Sequence, residues 1–198
     1  MSPARAGKKS EKIDLDASAI CLNSDLKLVE MIWHKQLNSD DGAIVHGGDQ
    51  RSGKASGDDE SIYVELPKVH KSVHYIGFVV NSYSGQELDD IEKASCHLYD
   101  TKTGADIATH AISDCKFLDG HTALMMGCLY RVKGRGNAGD EWCLRIISQA
   151  EDGKNVKAVL EGFMKYLEHN PVFRPMESDA ADPNASIGVT MPPETPLP

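Results

Sequence analysis

The chain has 198 residues, 40% of them apolar, and a formal net charge of −9. That length suits one domain and is short for two large ones. The acidic balance excludes nucleic acid as a partner, because neutralising a phosphate backbone needs a basic face.

The first twelve residues, MSPARAGKKSEK, set Arg5, Lys8, Lys9 and Lys12 against Glu11. No apolar stretch follows them, so they read as a disordered basic tail rather than a secretory signal. No apolar run approaches the roughly 20 residues needed to span a bilayer. The five cysteines, Cys21, Cys96, Cys115, Cys128 and Cys143, form no CxxC pair. An odd number of them without a signal points to reduced thiols in a cytoplasmic protein, used as small core hydrophobes. The same spacing speaks against zinc.

Residues 13–169 carry the fold. Runs of β-formers divided by turn residues predict strands at Ile13–Leu22, Leu26–Trp33, Ser61–Leu66, Val73–Val80, Ala94–Tyr99, Asp106–Ile112, Thr122–Arg131 and Glu141–Ser148. Asp100–Gly104 and Lys133–Asp140 read as hairpin turns, and the two runs flanking the second read as a central antiparallel pair. In NVKAVLEGFMKYLEH, apolar residues at 156, 159, 160, 163, 164 and 167 recur at helical spacing. Asn155 caps that helix and Pro171 ends it. A shorter helical turn is expected in QELDDIEKA. The class is mainly β: a β-sandwich with a C-terminal amphipathic helix against its edge or end. Residues 170–198 hold seven of the nine prolines and read as a disordered tail.

Chemistry concentrates in residues 38–60, NSDDGAIVHGGDQRSGKASGDDE. Five glycines and six acids, Asp40, Asp41, Asp49, Asp58, Asp59 and Glu60, meet only two basic residues there. Calcium takes about 6–8 oxygen ligands, and short carboxylates on a backbone freed by glycine suit that need. Asp58, Asp59 and Glu60 repel one another unless a cation sits among them. In DLDAS, Asp14 and Asp16 project from one face of a strand while Ile13, Leu15 and Ala17 fill the other. The EF-hand pattern is absent. Residue types alone leave two readings open: a bound calcium ion, or a solvated acidic loop with ordinary surface aspartates.

Several segments in order resemble the TerD family of tellurium-resistance and stress-response proteins: DLDASAICLN, IWHKQLNSDDGAIVHGGDQRSGKASGDDESIYVEL, FVVNSYSGQ, HTALMMGCLYR and GDEWCLRII. The MIWHKQL and NSYSGQ segments and the helix resemble its TerZ/TerX-like branch. The resemblance implies a calcium-binding β-sandwich, with ligands at Asp14, Asp16, Asp49, Asp58, Asp59 and Glu60. Two departures stand out. The short basic tail replaces about two strands that usually precede the DLD element, so residues 13–169 form an N-terminally shortened domain. Lys54 and Ala55 stand where an acid and a glycine are usual, so one calcium site is expected rather than two.

Other candidates are weaker. Arg131 is expected to make a structural ion pair, His46 and His121 to be solvated loop residues, and Asn81 to Ser84 to be turn residues. No nucleophile elbow or phosphate-binding glycine loop accompanies the acids, so no enzyme is expected. The sequence thus points to a calcium-binding protein that supports contacts with other proteins. The alternatives are a calcium-dependent membrane-binding module and a calcium-independent interaction domain. Exposed large apolar residues are missing from the loop, which argues against the membrane.

Overall fold

The computed structural model describes residues 15–48, 60–88, 95–112, 116–134, 139–172 and 186–191. In chain order these form β1 (Leu15–Leu22), β2 (Leu28–Ile32), β3 (Ile44–His46), β4 (Glu60–Glu65), β5 (Tyr75–Ser82), β6 (Ser95–Asp100), β7 (Asp106–Ala111), β8 (Ala123–Val132), β9 (Glu141–Glu151), α1 (Val156–His169) and β10 (Ser186–Met191). The strands make two five-stranded antiparallel sheets, β2-β1-β5-β8-β9 and β3-β4-β10-β6-β7. The mainly β expectation holds, and the sheets pack face to face as a sandwich.

Alternation builds the inner core. In β4, Glu60, Ile62 and Val64 are buried while Tyr63 and Glu65 are exposed, the period of two of a half-buried strand. Ile44, Ile62, Val64, Cys96 and Leu98 of the second sheet meet Ala17, Ala19, Cys21, Ile76, Phe78 and Val80 of the first. The first sheet is apolar on its outer face too. Ile20, Leu22, Val79, Ala123, Met125 and Cys128 lie under Val156, Val159, Phe163 and Leu167 of α1. A sheet apolar on both faces must be covered twice. That requirement corrects the expected helix placement: α1 lies on the face of the sheet, not at its edge or end. Asn155 caps α1 as expected, accepting the Lys157 and Ala158 amides at 3.1 and 3.3 Å.

The Asp100–Gly104 turn also forms, with Asp100 accepting the Lys102 and Thr103 amides and Gly104 at a φ of 70°. β8 and β9 pair, but β9 is the outer strand of its sheet, so the pair is not central. Two strands were not legible. β3 is three residues long and sits inside the glycine-rich acidic segment. β10 comes from the expected disordered tail, which is a correction to that reading. Its six residues alternate Ile187, Val189 and Met191 with small or polar neighbours, a pattern obscured by the surrounding prolines. Of the expected helical turn near QELDDIEKA, residues 89–94 lie outside the described residues.

Four cysteines, Cys21, Cys96, Cys128 and Cys143, are buried thiols. Burial pushes Cys96 up to about 12 and raises Cys21 and Cys128 as well. A protonated, enclosed thiol is a poor nucleophile, so these cysteines act as packing groups.

Asp41 serves the fold. Its carboxylate accepts from Ser39 Oγ at 2.6 Å, the Ala43 amide at 2.8 Å and the His70 amide at 2.6 Å. Partial burial opposes ionisation, but these bonds outweigh it and hold the carboxyl below its ordinary range. A depressed folded pKa contributes stability above the unfolded value of about 3.9, lost as pH falls through the folded value. Asp41→Asn is expected to cost about 1 kcal/mol at pH 7, since the group is exposed and screened. The difference from wild type should shrink below about pH 4 in urea titrations. A constant difference down to pH 2 would exclude this role.

Candidate metal centre

β1 runs past the end of β2. The ladder between them covers Ala19 to Leu22, which leaves Ala17 at an open sheet edge. Two side chains of the second sheet close that edge. The Glu60 carboxylate accepts the Ala17 amide, and His46 Nε2 lies 3.1 Å from the Ala17 carbonyl oxygen. The same nitrogen is 3.7 Å from Glu60 Oε2. Glu60 is 4% exposed, His46 3% and Asp16 7%.

The Gly48 amide donates to His46 Nδ1 at 3.0 Å, so that nitrogen is bare and the proton sits on Nε2, aimed at Ala17. Burial alone would lower the His46 pKa. The Glu60 hydrogen bond and charge, the Ala17 carbonyl and Asp16 more than offset burial and raise it. His46 is thus a buried strand residue tied to β1, not the solvated loop histidine expected. Its signal in the sequence was the Ile44-Val45-His46 alternation, too short to read alone.

Gly48 and Glu60 are the described residues on either side of 49–59. Next to them a 2.7 Å bond from the Gly47 amide to the Ser61 carbonyl ties the end of β3 to β4 and forms a neck. Asp49 directly follows this neck and Asp58 and Asp59 directly precede it, while Asp14 sits two residues before Asp16. Those four expected ligands lie outside the described residues. Of the six, Asp16 and Glu60 are described, and both flank Ala17. Among the described residues no group of three or more His, Cys, Asp or Glu side chains could hold a metal ion.

Asp16 Oδ2 is 3.3 Å from His34 Nδ1, and the His34 ring meets Tyr83 edge-on at 5.5 Å. Asp16 pairs in register with Asn81 of β5, which places both side chains on one face. Asn81 and Ser82 are fully buried, not turn residues. Asn81 donates to the Gly153 carbonyl at 2.7 Å. Its Oδ1 and Ser82 Oγ have no hydrogen-bond partner among the described residues. These buried oxygens were missed because NSYS reads as turn chemistry.

Among the described residues, the hydrogen bonds of Arg131 go to main-chain carbonyls. Its Nε donates to the Val73 carbonyl at 2.8 Å, and Nη2 to Val69 and His70 at 2.6 and 3.1 Å. The guanidinium also lies 4.3 Å from the Trp142 ring centroid. It is a clamp on the turn before β5, and burial lowers its pKa. Arg131→Lys is expected to cost about 2 kcal/mol in urea denaturation, because an ammonium cannot reproduce the fork. Wild-type stability in that variant would mean that charge alone suffices. His121 is a surface residue whose Nδ1 lies 3.2 Å from Asp152.

The described carboxylates suit a hard cation, since both offer oxygen and both are buried. α1 has 14 residues, and among the described residues no helix is long and apolar enough to cross a membrane.

Comparison with known proteins agrees with this architecture. The family model described as TerD domain matches residues 3–163. The chain is 37% identical to tellurium resistance protein TerZ of Serratia marcescens over 125 residues, 63% of each chain. It is 31% identical to TerD of the same organism, over 72% of this chain and 74% of that one. The crystal structure of a telluride resistance protein homologue from Streptomyces coelicolor A3(2) superposes with a TM-score of 0.60 at 17% identity. That match covers 78% of this chain and 88% of the other, and it shows the shared fold. The chain belongs to the TerD-domain family of tellurium-resistance and stress-response proteins.

Proposed function

We propose that this chain is a non-enzymatic, cytoplasmic calcium-binding protein of the tellurium-resistance and stress-response type. The ligands would be Asp14, Asp16, Asp49, Asp58, Asp59 and Glu60, and the ordered loop would support contacts with other proteins. One observation carries the reading: Asp16 and Glu60 are buried carboxylates on either side of Ala17, at the neck of an acidic loop. Burying ionised carboxylates is costly without counter-charge. His34 and His46 lie 3.3 and 3.7 Å from these carboxylates as polar neighbours, and a divalent ion would supply the counter-charge.

When bound, the ion would neutralise the clustered acids and so couple loop order to calcium concentration. The chain's own residues prepare the position. Glu60 and His46 fix the start of β1, and the Gly47–Ser61 bond holds the end of β3 against β4. Calorimetric titration of metal-stripped protein with calcium, and with magnesium as control, tests the reading. Saturable heat from calcium with one ion per chain and little response to magnesium is expected. If calcium gives neither heat nor a thermal shift, the carboxylates are purely structural and the chain is a calcium-independent interaction domain.

A further inference from the structure

β10 holds the second sheet together although it is the last of the described strands. It lies between β4 and β6, antiparallel to both. Ile187, Val189 and Met191 stand opposite Val64, Ile62 and Glu60 of β4, three buried positions. On the other flank Val189 stands opposite Leu98 and Ile187 opposite Asp100. Without β10, among the described strands β4 keeps only β3 as a ladder neighbour and β6 keeps only β7. The sheet would then fall into two separate strand pairs, and an isolated pair is marginally stable at best.

The segment is also bounded as a ligand would be. Pro183 precedes it and Pro192 and Pro193 follow it. Proline has no amide to give a ladder, so pairing is limited to a short window. The thirteen residues 173–185 join this window to the region after α1 and span at most about 45 Å. No described element follows β10, so among the described residues its departure would pull no later strand or helix with it. Main-chain pairing into a gap between two strands is the chemistry by which sheets take up extended peptides.

We infer that the cleft between β4 and β6 is a strand-acceptor site, and that Ser186–Met191 fills it exchangeably. The same segment supplied by another molecule can take its place. Covalent connection makes the chain's own segment the favoured occupant, because a linked segment acts at an effective concentration that can reach about the millimolar range. An occupant must be extended, must offer its amides to both ladders, and must carry apolar residues at alternate positions.

The test uses the full chain with a protease site inserted between residues 176 and 182. The protein is purified folded, cut, and mixed with a labelled peptide of residues 184–193 in excess. The expected result is saturable 1:1 binding with displacement of the cut tail, read by fluorescence anisotropy and mass spectrometry. The peptide carrying Val189→Pro should bind at least tenfold more weakly. If the cut protein loses its tail and its cooperative thermal transition, added peptide should restore that transition. A cut protein that sheds its tail with an unchanged transition, or a peptide that neither binds nor restores folding, would overturn the assignment.

Discussion

Phe163→Ala is expected to destabilise the protein by about 3–5 kcal/mol, the range for emptying an aromatic position in a packed core. Phe163 is 1% exposed and sits with Val156, Val159 and Leu167 on the outer face of the first sheet. Its ring lies directly over Gly77 of β5. A Cβ built at Gly77 would come within 2.4 Å of Phe163 Cζ and within 2.6 and 2.8 Å of two more ring atoms. The glycine is therefore needed for the close approach of the ring, since its φ lies outside the left-handed region. Gly77→Val should be destabilising too, by about 1–3 kcal/mol or more, because the helix must shift to make room. Combined with Phe163→Leu it should cost less than the sum of the two single changes, since the sites share one contact. Urea denaturation of the single and double variants checks this. Strict additivity would show that the ring and the glycine do not constrain each other.

Glu60→Gln should leave the sandwich folded and weaken calcium binding by at least about tenfold to a hundredfold, judged from what even outer-shell losses do. The substitution separates the two roles of the side chain. A glutamine oxygen can still accept the Ala17 amide, whereas the negative charge is gone. His46 would lose the interaction that most raises its pKa, so its titration should move down in NMR spectra. Glu60→Leu is the contrasting variant. It strands the Ala17 amide, and an unsatisfied buried amide costs about 1–3 kcal/mol. Undiminished calcium affinity in Glu60→Gln would remove Glu60 from the ligand set and leave it a purely structural cap.

The strand periods, the hairpin at Asp100–Gly104 and the capped helix were legible because each depends on neighbours within a few residues. The family was legible for a related reason, since its motifs are runs of local sequence. Errors arose where a residue's partner is remote. His46 and Glu60 meet at Ala17 although Ala17 lies 43 positions before Glu60. Arg131 reaches carbonyls 58 to 62 positions away, so its proper partner could not be guessed from charge. Asn81 looks like a turn residue until β1 is laid beside it, where it faces Asp16.

The sequence by itself determined most of the elements and their faces, β3 and β10 excepted: alternation in β4, the apolar stripe of α1, the turn at Asp100 and the acidic segment between β3 and β4. Periodicity reports which side of an element is apolar, and it does so without knowledge of the fold. Only the tertiary structure decided what each face meets. It set α1 over the first sheet, because β1, β5 and β8 are apolar on both sides. It turned Glu60 and His46 into the cap of an open strand edge, because β2 ends before Ala17. It also placed a six-residue stretch of a proline-rich tail at the centre of the second sheet. A strand's ladder partners satisfy its backbone amides and carbonyls, and nothing in six local residues names them.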